Sequence, residues 1–185
     1  MTAEARLACP EADMFVLVRA LTYAAIFIGF FLVYLPARVL ERAGLQVPST
    51  YGALQLAGGT VAALGLALAV SCILTFAFIG KGTPAPFDPP RKLVIRGPYA
   101  WTRNPMYLGA WLVLAGAAIY FQSSALTLFA AGFILVTVAF VHVYEEPTLH
   151  RQFGLEYDVY CGLVHRWWPR RPGKAIPPKS VRPLE

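Results

Sequence analysis

Four long runs of apolar residues alternate with short polar stretches along the chain, and each run predicts a helix. Residues 14–35 carry one charge, Arg19, near their start, and residues 53–79 carry none. Residues 105–121 and 125–144 form a pair broken only by Gln122-Ser123-Ser124, and the 41 residues 104–144 hold no Asp, Glu, Lys or Arg. A bilayer-spanning helix needs roughly 20 apolar residues, so the pattern predicts an all-α membrane protein with about four transmembrane helices, the last two a helical hairpin. Pro105 suits the first turn of the third helix and Asn104 its N-cap. Pro147 is expected to end the fourth helix and open a new one. Beyond it, Leu149, Phe153, Tyr157, Tyr160 and Val164 recur at three- and four-residue spacing, which predicts an interfacial helical segment that Gly154 interrupts.

Composition supports a polytopic membrane protein: 57% of the 185 residues are hydrophobic and 14% are charged, against about 25% charged in an ordinary soluble domain. Gly29, Gly58, Gly59 and Gly65 are the small residues that let helices approach closely in lipid. Arg19 is expected to snorkel from the helix end. Residues 1–13 hold three acids and one Arg, so no cleavable signal peptide is expected. Cys9, Cys72 and Cys161 form no CxxC and are expected to be reduced and structural.

The net charge of +6 gathers in two places. Residues 81–103 hold five basic residues and one acid, and residues 159–184 hold six basic residues and no acid. Basic flanks mark the cytoplasmic side, so this loop, the N-terminus and the C-terminus are expected there, with 36–52 outside despite Arg38 and Arg42. Anionic headgroups account for the basic tail better than nucleic acid does. Trp167-Trp168 before Arg170-Arg171 reads as a membrane-interface anchor. The expected organisation is a single domain over 1–172, with 1–80 as scaffold and 81–172 as the functional part, then a flexible basic tail over 173–185. Residues 80–90 carry four prolines and two glycines and are expected to form a structured loop.

Charge returns abruptly where the hairpin ends. Glu145 and Glu146 stand beside Pro147, with His142 and His150 one turn to either side. Tyr99, Trp101, Arg103, Asn104 and Tyr107 stand at the other end of the hairpin, so folding it brings both sets together. Such a set suits a ligand carrying an ammonium, a carboxylate and a flat ring. A solvated helix end beside an aromatic belt accounts for the same residues, but glutamates oppose the dipole at a helix C-terminus. His142 and Glu146 have i, i+4 metal-ligand spacing without HExxH or a third ligand, so no metal is expected. Neither a GxSxG nor a Cys–His pairing points to a hydrolase.

Three motifs in order, Gly97-Pro-Tyr-Ala-Trp-x-Arg-Asn-Pro-x-Tyr107, Glu145-Glu-Pro-x-Leu149 and Phe153-Gly-x-Glu-Tyr-x-x-Tyr160 leading to Arg166-Trp-x-Pro169, carry a resemblance. The chain resembles the membrane methyltransferase superfamily that includes isoprenylcysteine carboxyl methyltransferase and phosphatidylethanolamine N-methyltransferase. The resemblance covers roughly residues 80–170. It implies S-adenosyl-L-methionine as cofactor, held without the GxGxxG of a Rossmann domain. It further implies that Arg91, Lys92, Leu93, Val94, Tyr99, Asn104, Pro105, Met106 and Tyr107 contact the cofactor, with adenine packed on Tyr99 or Tyr107. Glu145 and Glu146 would line the same site, one at the cofactor ammonium and the other at the substrate. Gly80 and Gly82 would match the Gly-x-Gly of the phospholipid enzymes.

Asn104-Pro105 stands where isoprenylcysteine enzymes carry His-Pro, and Val141 where they carry Arg, whereas 153–168 resembles their side. The acceptor, hydrophobic or lipid-like, therefore stays open. For a carboxylate or thiolate acceptor, Arg103 would position the anion; for an amine, Glu145 or His142 would take the proton. An NADPH-dependent sterol-reductase-like enzyme and a non-catalytic membrane subunit remain the alternatives.

Overall fold

The structure is a computed structural model that describes residues 22, 25–44, 48, 51–76 and 93–169. Among these, every regular element is helical. A π-helical stretch Ile28–Tyr34 runs into α1 (Leu35–Arg42), followed by α2 (Ala53–Thr75). A single 3-10 turn, Gly97–Ala100, precedes α3 (Pro105–Phe121), and α4 (Ser124–Phe140) returns beside it. A π-helical turn, Val141–Glu145, then leads into α5 (Glu146–Phe153) and α6 (Leu155–Leu163).

Helices α2 and α3 pack along a seam of glycines. Gly58 and Gly65 lie seven positions apart on α2, as do Gly109 and Gly116 on α3, which keeps each pair on one helix face over two turns. A Cβ on Gly58 would stand 2.5 Å from the Tyr120 amide nitrogen and 2.7 Å from the Gly116 carbonyl oxygen; one on Gly65 would stand 2.6 Å from the Gly109 oxygen. The two backbones therefore touch, as small residues permit between helices in lipid. Gly29 and Gly59, expected to serve the same purpose, have nothing within 4 Å of the added carbon; Gly59 lies one position round the helix from the seam. At the start of α2, Gln55 Oε1 accepts from the Gly52 N–H at 3.0 Å while its Nε2 donates to the Tyr120 carbonyl at 3.4 Å.

The hairpin turn falls where expected, although its second arm starts at Ser124 and its helical run continues past 144 to Phe153. Gln122 adopts a left-handed conformation (φ 49°), and Ser123 caps α4 by accepting the Leu126 N–H at 3.2 Å. Phe27, Phe31 and Leu32 of the first helical stretch pack on Ala110, Leu114, Ala130 and Phe133 of the hairpin.

One expectation is met in part and two need correction. Of the four expected crossings, two described segments are long and apolar enough by length and composition: α2 and the continuous run Ser124–Phe153. Helix α3 has 17 residues, about 26 Å at 1.5 Å per residue, short of the roughly 30 Å of hydrocarbon. Most of the first half of segment 14–35 lies outside the described residues, as do 77–92 and the tail beyond 169. Pro147 does not break the helix. The Glu146 N–H bonds back to the Val141 carbonyl, a wide turn that lets the helical run continue past the proline to Phe153. Asn104 occupies the N-cap position of α3, but its side chain makes no capping bond; its amide donates instead to the Arg166 carbonyl at 3.2 Å. Gly154, at φ 51°, separates α5 from α6 as expected.

Candidate active site

Chain direction sets the location. Helix α3 runs antiparallel to both α2 and α4, so the end of α2, the loop 93–104, the start of α3 and the end of α4 share one end of the bundle. Helices α5 and α6 fold over that end: Tyr157, Tyr160 and Val164 form a small core with Leu93, Ile95, Leu149, Phe153 and Cys161. The Tyr160 hydroxyl donates to the Tyr99 carbonyl at 2.7 Å. Burial pushes the Tyr160 phenol above its usual range, so it stays a neutral donor across ordinary pH.

Two carboxylates stand at this end in different surroundings. The Tyr107 hydroxyl donates to Glu145 Oε2 at 2.8 Å, joining the first turn of α3 to the π turn. Glu146 receives Arg166 through both prongs, Nε to Oε1 at 2.8 Å and Nη2 to Oε2 at 2.5 Å. Arg103 Nη1 lies 3.2 Å from the same Oε1 and also donates to the Cys161 thiol. The Arg103 and Glu146 side chains are 13% and 15% exposed, so this pair is shielded from water and its geometry matters more than that of a surface pair. Among the described residues, buried Arg103 Nε meets no hydrogen-bond partner, which is uncommon for a buried polar group.

The structure gathers Arg103, Asn104, Pro105, Tyr107, Glu145 and Glu146 at one place. Leu93 and Val94 diverge: Leu93 packs on the Tyr157–Tyr160 cluster, and Val94 is buried with Cys72 and Tyr99. Met106 lies against that second cluster. Tyr99 sits edge-on to Phe76 at 5.1 Å; burial first, then Cys72 and Glu145 nearby, push its phenol far above its usual range. Trp101 and His142 are exposed, and His150 pairs with Asp158 at 2.9 Å on the surface. Gly80, Gly82, Arg91 and Lys92 lie outside the described residues. No group of three or more His, Cys, Asp or Glu able to hold a metal occurs among the described residues.

Sequence reasoning gave no role to Arg166, Thr102, His165 or Cys161. The Thr102 hydroxyl donates to the Arg166 carbonyl at 2.9 Å, and the Arg103 N–H donates to the His165 carbonyl at 2.9 Å. Arg166 did stand inside a quoted motif, and an arginine between the apolar Val164 and Trp167 was the available signal.

Among the described residues the chain is all-helical, with two apolar helices of membrane length and a cluster of two carboxylates and two arginines at one end. The family model for phospholipid methyltransferase matches residues 53–156, more than half of the chain and inclusive of Arg103, Asn104, Pro105, Tyr107, Glu145 and Glu146. The protein belongs to the phospholipid methyltransferase family, which makes it a membrane methyltransferase. No curated protein and no solved structure matches the chain.

Proposed function

We propose that the protein transfers the methyl group of S-adenosyl-L-methionine to a lipid-like acceptor partitioned in the membrane. The convergence of Arg103, Tyr107, Glu145 and Glu146 at one end of the hairpin carries this reading. The donor set fits the group. Glu145 Oε2 accepts from Tyr107, its carboxylate suits an ammonium, and the unpartnered Arg103 Nε suits an acid group. When bound, the cofactor supplies an electrophilic methyl on a sulfonium. The chain holds, aligns and dries the reactants, which is the main protein contribution to such a displacement.

Asn104, Pro105, Met106 and Tyr107 then form the cofactor side, with Tyr99 behind them, and the contacts of Gly80, Gly82, Arg91 and Lys92 rest on the resemblance alone. Arg103 orients an anionic acceptor. If the acceptor is an amine, Glu145 removes the proton, since it stands beside Tyr107 whereas His142 faces outward. The protein is multi-pass, with the site and C-terminus on the cytoplasmic side, following the basic flanks. Residues 1–172 form one domain.

The test is calorimetric titration of S-adenosylhomocysteine into the detergent-purified protein, beside the double variant Glu145→Ala/Glu146→Ala. Micromolar binding lost in a folded variant supports the assignment. No binding to folded wild type, with tight NADPH binding instead, would sink it in favour of a reductase.

A further inference from the structure

Beyond α6 the chain turns extended at Val164 (φ −123°, ψ 128°) and runs back across the loop that opens α3. Residues 165–167 are held there by four contacts. The His165 carbonyl accepts the Arg103 N–H, and the Arg166 carbonyl accepts Thr102 Oγ1 and Asn104 Nδ2. The Trp167 ring lies 4.6 Å from that of Trp111. None of these contacts uses the Arg166 side chain, so the strap is fixed whatever residue stands at 166. The guanidinium is left with one described task, its two-pronged grip on Glu146.

That grip decides where the other charges go. Glu146 lies between two arginines, and the shorter contacts are those of Arg166; Arg103 approaches through one nitrogen at 3.2 Å. Paired arginine and carboxylate forks favour two-pronged geometry. Without Arg166, Glu146 would take the whole Arg103 fork, including the Nε that now has no partner. We infer that Arg166 is a positioning residue: by gripping Glu146 with both prongs it limits Arg103 to a one-nitrogen approach and keeps the rest of the Arg103 fork available to ligand. This rests on the methyltransferase reading and adds the residue that arms its binding groups.

The experiment is a double-variant cycle read by S-adenosylhomocysteine titration, using wild type, Arg166→Met, Glu146→Gln and the combined variant, with Arg166→Lys as the conservative control. Arg166→Met should weaken binding at least tenfold. Arg166→Lys, able to give one bond but not the fork, should fall between it and wild type. In the Glu146→Gln background, Arg166→Met should add less than twofold, because position 146 no longer offers a carboxylate to capture Arg103. Equal losses in both backgrounds would mean that Arg166 acts independently of Glu146, and unchanged binding in Arg166→Met would remove its role; either overturns the inference while leaving the enzyme reading intact. Absence of binding by wild type overturns both. Should Arg166→Met not fold, Arg166→Lys against Glu146→Gln/Arg166→Lys makes the same comparison, with melting curves reporting the fold.

Discussion

Helix α3 meets α2 through backbone and meets α4 through side chains. Towards α2 it presents Gly109 and Gly116, against Gly65 and Gly58. Towards α4 it presents Tyr107, bonded to Glu145, and Trp111, whose indole N–H donates to Thr137 Oγ1 at 2.9 Å. The first contact has no slack, since the atoms that a Cβ would strike are mostly main-chain atoms, and its polar part is the Gln55–Tyr120 hydrogen bond at one end. The second combines apolar packing of Ala110 and Leu114 on Ala130 and Phe133 with two side-chain hydrogen bonds, one to α4 and one to the π turn after it. Backbone contact and candidate chemistry thus lie on opposite sides of one helix, and substitutions should separate them.

The largest effect is expected at the seam. Gly58→Val places atoms where the Tyr120 and Gly116 backbones stand, and overpacking of this kind costs about 3 kcal/mol. Melting of the detergent-solubilised variant should show a lost or strongly lowered transition; a wild-type curve would refute the seam. Tyr107→Phe removes one hydrogen bond to a carboxylate, worth about 2 kcal/mol. Here kcat/KM should fall about tenfold or more while the melting temperature moves little, and the reverse pattern would make Tyr107 a stability residue. Thr137→Val leaves the Trp111 indole without its acceptor, at about 1 kcal/mol. Its melting temperature should drop modestly while cofactor affinity is retained, as titration would show. The smallest change is Gly59→Ala. One position from the seam and in open space, it should leave stability unchanged or raise it by up to ~1 kcal/mol, a sign opposite to that of Gly58.

The same contrast explains what could be read from the chain. The bounds of α3 and the hairpin turn were legible because the uncharged run 104–144, Pro105 and Gln122-Ser123 are local signals. Gly58 and Gly65 were recognisable as close-contact residues, but Gly59 was not separable from them until the facing pair Gly109 and Gly116 fixed the seam. Glu145 and Glu146 stood out as acids at the end of an apolar helix. Their division of labour did not, because Arg166 lies 20 positions from Glu146 and their pairing is wholly tertiary. Pro147 misled for a different reason. A proline forbids one hydrogen bond, and a π turn meets that constraint by changing backbone register, which leaves no mark on composition.

The strap over residues 165–167 has a consequence for how the molecule is made. A ribosome releases the glycine seam first, then the hairpin, and only near the end the residues that close over Arg103 and Asn104. Until Arg166 has emerged, Glu146 has Arg103 as its one described guanidinium partner. In synthesis the charge pairing at Glu146 is therefore completed after the helices that carry Arg103 and Glu146 have been made.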